Sequence, residues 1–70
     1  HMYYDTEYLL ASEFQMRHWS REHFEESLEE LFQEYKGGAV RLHNMTWKII
    51  REYKPGILEI AVSGDIEELD

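Results

Sequence analysis

The chain has no cysteine, one proline, four glycines and seven basic residues against fifteen acids in 70 residues. Without cysteine there is no disulfide, no thiol nucleophile and no Cys-based zinc site. No apolar run approaches the ~18 residues of a membrane span. The start is polar and acidic and does not read as a signal peptide. His1-Met2 reads as a tag remnant followed by the start methionine. Absent cysteine and leader together suggest a cytoplasmic protein.

The chain is hydrophobic at 43% of positions and aromatic at 14%, which argues against intrinsic disorder. Its length allows one domain. So short a chain buries only about 60% of the surface its unfolded form exposes. Self-association is a common remedy, so a homodimer is expected.

Charge is unevenly spread around a net of −8. Residues 20–36 hold Glu22, Glu25, Glu26, Glu29, Glu30 and Glu34 against Arg21 and Lys36. Residues 37–54 are mildly basic through Arg41, Lys48, Arg51 and Lys54. Residues 55–70 carry Glu59, Asp65, Glu67, Glu68 and Asp70 with no base.

The clearest element spans residues 20–36. Phe24, Leu28, Leu31, Phe32 and Tyr35 form one apolar stripe at helical spacing. Ser20 is a good N-cap, Glu22 suits the first turn, and Gly37-Gly38 supplies a left-handed stop. Beyond it, alternation and β-branched residues predict strands near 39–43, 46–53 and 57–63. His43-Asn44-Met45 and Lys54-Pro55-Gly56 would be the turns. Phe14, Met16 and His18 alternate with polar neighbours, predicting a first strand over about 7–18 with a bulge near Ala11-Ser12. The expectation is a single α+β domain over 3–64 in β-α-β-β-β order, one amphipathic helix on a mainly antiparallel four-stranded sheet, with an acidic tail over 65–70. Leu58, Ile60 and Val62, with Trp47, Ile49 and Tyr53, would face the helix. Thr46, Lys48, Ile50, Glu52, Ile57, Glu59 and Ala61 would lie on the other face. One helix cannot cover two sheet faces, so Trp19, Ile50 and Ile57 are the expected dimer contacts.

Catalytic signals are weak. His18 and His23 are five apart, not the three or four that pairs ligands on a helix, so no metal site is expected. No serine lies in a nucleophile motif. The paired glutamates fall at solvent-facing positions, where nothing tunes them for acid–base work. Gly37-Gly38 follows a helix and cannot cradle phosphate at a helix start. Neither an enzyme nor a cofactor is expected.

The acidic helix is the most informative feature. Carboxylates three and four residues apart stand roughly 5–6 Å from one another, and each such repulsion costs a few tenths of a kcal/mol. A ridge of this kind keeps a protein soluble. It also resembles a row of phosphates, and would attract and steer proteins with basic grooves. In size, charge and lack of catalytic motifs the profile is similar to that of small acidic DNA-mimic inhibitors, many from phages. No motif carries that resemblance.

The reading is a protein–protein interaction module that occupies the basic DNA-binding surface of a host protein, such as a histone-like nucleoid protein. Its contact residues would be Glu22, Glu25, Glu26, Glu29, Glu30 and Glu34, supplemented by Asp65, Glu67, Glu68 and Asp70. Direct nucleic-acid and membrane contacts are not part of it. One alternative is a structural or regulatory adaptor binding through an apolar sheet face. Another is single-strand binding by the basic hairpin, with Trp47 and Tyr53 as stacking platforms.

Overall fold

The computed structural model describes residues 2–69. His1 and Asp70, expected as tag remnant and tail acid, lie outside the described residues. The elements run β1 (Met2–Ser12), α1 (Glu13–His18), α2 (Arg21–Tyr35), β2 (Val40–Lys54) and β3 (Ile57–Glu68). The three strands form one antiparallel sheet in the order β1-β3-β2. The fold is α+β. Among the described residues it has three strands in β-α-α-β-β order, not four in β-α-β-β-β order.

Alternation explains the central strand. Leu58, Ile60, Val62 and Ile66 of β3 are buried on one side, against Phe24, Leu28 and Phe32 of α2. Leu9 and Ala11 from β1 and Val40 and Leu42 from β2 complete that core, with Met16 of α1 packed on its margin. Fully burying each large aliphatic contributes roughly 1.5–3 kcal/mol. The α2 stripe therefore behaves as its spacing predicts, except that Leu31 is half-buried and Tyr35 is exposed.

Two sequence expectations fail for local reasons. The predicted strand over 7–18 ends at Ser12, whose hydroxyl accepts the Gln15 N–H and caps α1. Glu13 then pairs with Arg17 at 2.7 Å, one turn along, and the His18 ring stacks on Phe14. These contacts at helical spacing prevail over the alternation of Phe14, Met16 and His18. The α1 start is held by the Glu13 N–H, which donates to the Gly56 carbonyl at 3.0 Å.

The predicted turn at His43-Asn44-Met45 is a bulge inside one long strand. His43 stands opposite Asp65 and Thr46 opposite Ser63, with Asn44 at φ 53°. Asparagine tolerates that left-handed backbone better than most residues. The partner space is supplied by Gly64, at which a Cβ would sit 2.7 Å from the His43 carbonyl oxygen and from Leu42 Cδ1. The last strand consequently does not stop near 63. Asp65 and Glu67, expected in a tail, pair in β3 as far as Glu68.

Two further register shifts in β2, between Ile49 and Arg51 and between Glu52 and Lys54, change its face assignment. Glu52, not Tyr53, stands opposite Leu58, and Ile50 is an extra residue without a β3 partner. Among the described residues no helix is long and apolar enough to cross a membrane.

Candidate functional site

Helix α2 presents the acidic face. Ser20 caps it by accepting the His23 N–H at 3.2 Å, and Glu22 occupies the first turn. With Phe24, Leu28 and Phe32 buried, the acids are forced to the outer side. Glu22, Glu26, Glu30 and Glu34 are exposed, and Glu25 and Glu29 are half-buried. At 1.5 Å per residue, Glu22 to Glu34 covers about 18 Å of axis. The same length of duplex carries about five phosphates on each strand, at ~3.4 Å spacing. The ridge thus matches the charge density of one strand.

The two nearest bases do not neutralise it. Lys36, at the end of α2, is drawn across to β1, where its ammonium hydrogen-bonds Asp5 and reaches Glu7 at 3.0 Å. That contact pushes the lysine pKa up and, with the Thr6 N–H, holds Asp5 below the usual carboxylate range. Arg21 pairs with Glu25 at 3.3 Å and lies over the Trp47 ring. Glu25 also accepts the Trp47 indole N–H at 2.7 Å. Phe24 packs edge-on against the same indole. Glu25 is therefore a tie between α2 and β2. Among the described residues, Glu22, Glu26, Glu29, Glu30 and Glu34 make no ion pair.

Two shallow grooves flank the ridge. Trp19, His23, Glu26, Ser27 and Glu30 line one of about 330 Å³. Arg21, Glu22, Glu25, Glu26, Glu29 and Met45 line the other, of about 520 Å³. Trp19, expected as a dimer contact, thus stands beside the acids. Its place is set by the bend between α1 and the Ser20 cap, which the expected strand over 7–18 concealed.

The C-terminal acids are divided from this ridge by the sheet. Asp65 and Glu67 alternate with the buried Ile66 and so point away from the helices. Asp65 accepts from Asn44 at 3.1 Å. Glu67 accepts from His43 at 2.8 Å and lies 3.7 Å from Arg41, and these contacts lower its pKa. Glu68 is exposed opposite Val40.

The basic hairpin is largely engaged. Arg51 pairs with Glu59 at 2.8 Å, which raises the arginine pKa, and both Arg51 and Lys54 lie over Tyr53. Lys48 lines a depression of about 420 Å³ on the helix-free face with Tyr4, Thr6, Tyr8, Thr46 and Ser63. Ile50 and Ile57 sit on the β2–β3 hairpin, Ile57 opposite Ser12 and Lys54. No group of three or more His, Asp or Glu arranged to hold a metal occurs among the described residues.

No family model, no curated protein and no solved structure matches this chain.

Proposed function

We propose that this chain is a small acidic interaction module whose α2 face competes with DNA for the basic nucleic-acid-binding surface of another protein. A histone-like nucleoid protein is the kind of partner it fits. The supporting observation is the row of five ridge carboxylates, Glu22, Glu26, Glu29, Glu30 and Glu34, that make no ion pair among the described residues, while Lys36 at the helix end is held by Asp5 and Glu7. Uncompensated like charges along a helix are destabilising, so a chain with little stability to spare gains from them through binding. Association with a basic groove would relieve the repulsion and be steered by long-range attraction. Glu22, Glu26, Glu29, Glu30 and Glu34 would make the contacts, with Trp19 at their margin. Asp65 and Glu67 drop to a minor role, because they lie on the other face and are already partnered.

The test is displacement of a labelled duplex from a purified histone-like protein. The wild-type chain should release the duplex at low salt and lose potency steeply as salt rises. The variant E26K/E29K/E30K should keep the helical circular dichroism and lose displacement. Equal displacement by that variant would end the decoy reading. It would favour an adaptor acting through the helix-free sheet face, where Tyr4 and Tyr8 are 67% and 60% exposed.

A further inference from the structure

The two outer strands are defended very differently. β2 carries three register shifts, and Lys48, Arg51 and Lys54 along its exposed length. Bulges and lysines are the usual means by which an edge avoids pairing with another chain. β1 has none of them. Its eleven residues contain no lysine, arginine or proline and pair with β3 without a shift from Met2 to Ser12. In the order β1-β3-β2, β1 is an outer strand that pairs with β3 on one side.

The edge is also apolar where it is open. A groove of about 520 Å³ wraps it, lined by Tyr8, Leu9 and Leu10 of β1 and by Leu31, Glu34 and Tyr35 of α2. Tyr8, Leu10 and Tyr35 are all exposed. The acids of β1, Asp5 and Glu7, are both held by Lys36 of the same chain. A long, unshifted, electrically quiet edge beside an apolar groove is a template for another strand.

We infer that β1 of one chain pairs antiparallel with β1 of a second copy, joining two sheets into one of six strands. Self-pairing on a two-fold axis constrains the register. An axis at Thr6 would set Asp5 against the partner's Glu7, and an axis at Glu7 would set the two Glu7 side chains together. An axis at Tyr8 instead sets Glu7 opposite Leu9, Thr6 opposite Leu10 and Asp5 opposite Ala11. No acid then faces an acid, and the groove beside Tyr8 and Leu10 closes over the partner strand. The self-association expected from the length of the chain is thereby placed on β1, away from Ile50 and Ile57. It does not depend on the decoy reading, since displacement of DNA is read in a separate experiment.

Sedimentation equilibrium and thiol trapping test it on the full chain. The wild type should run at twice its 8.5 kDa mass. Tyr8→Lys, which sets two cations across the axis, should run at the single-chain mass with unchanged circular dichroism. Ile50→Lys should remain dimeric. Because the chain has no cysteine, Tyr8→Cys reports one contact alone. Residues directly opposite in an antiparallel pair have Cα atoms about 4.5–5.5 Å apart, within disulfide range. Mild oxidation should therefore convert Tyr8→Cys to a covalent dimer and leave Ile57→Cys without a cross-link. A wild type that is monomeric up to several hundred micromolar overturns the inference, and would leave the edge to a strand from another protein. So would dissociation by Ile50→Lys without dissociation by Tyr8→Lys.

Discussion

Glu25 differs from the other ridge acids in that its charge is already committed, and a double-mutant cycle with Trp47 measures this. The indole N–H donates to Glu25 Oε2 at 2.7 Å, short enough for a strong charge-assisted bond. Such bonds contribute about 1.5–3 kcal/mol when buried. The Glu25 side chain is 33% exposed, so solvent screens part of this, and a coupling near 1 kcal/mol is expected. A domain of this size has about 4–10 kcal/mol of stability in all, so the loss is measurable. Trp47→Phe keeps an aromatic ring beside Phe24 and removes the donor. Glu25→Ala removes the acceptor and also the surface pair with Arg21. Urea unfolding followed by far-ultraviolet circular dichroism gives the four stabilities, since fluorescence would follow the altered tryptophan. The double variant should be about 1 kcal/mol more stable than the sum of the single losses implies. Glu25→Ala should also displace DNA nearly as well as wild type, unlike the Glu26, Glu29 and Glu30 reversals. Additivity within ~0.3 kcal/mol would refute the assignment of Glu25 as a tie. Loss of displacement without a stability change would place it among the contact residues.

Two further outcomes follow from the geometry. Gly64→Ala would drive a Cβ to 2.7 Å from a backbone oxygen of the β2 bulge, which cannot move aside as a side-chain tip can. The cost should be about 1–3 kcal/mol, lowering the thermal midpoint by roughly 4–8 °C per kcal/mol; an unchanged midpoint would show that the bulge yields freely. Asp5 and Glu67 both have depressed pKa values in the folded chain, so the stability they contribute is present above the ordinary carboxylate value near 4 and is lost as pH falls below it. The thermal midpoint should drop on acidification from pH 5 to 3, with a shallower drop in Asp5→Asn, whereas identical acid limbs would remove Lys36–Asp5 from the explanation.

Helix α2 was legible because three signals agree on it: the Phe24-Leu28-Phe32 spacing, the Ser20 cap and the Gly37 stop. Helix α1 was not, because a six-residue segment offers too few positions to separate a period of two from one of 3.6. Its deciding contacts, Glu13 with Arg17 and Phe14 with His18, are pairs four apart that carry equal weight with the alternation in sequence. The β2 bulge was hidden for a different reason. Asn44 reads as a turn residue by its tolerance of left-handed backbone, and only the glycine across the ladder permits that conformation inside a strand. The acids of α2 could be placed from sequence, whereas the fate of their counter-ions could not. Lys36 looked like a ridge base, and its partners lie some thirty positions away on β1.

That displacement links the two surfaces. Lys36 cannot serve both the helix and the strand. By binding Asp5 and Glu7 it quiets the β1 edge, and by the same contact its charge is turned away from the end of the acidic helix. Pairing of two such edges would unite a pair of acidic helices across one continuous sheet. Each chain alone presents about 18 Å of charge, shorter than the 34–36 Å of a DNA turn that two-fold-symmetric DNA-binding proteins span. Two ridges on one sheet would reach that scale. Loss of the dimer at Tyr8 should therefore weaken displacement of DNA without abolishing it, whereas reversal of the ridge should abolish it in monomer and dimer alike.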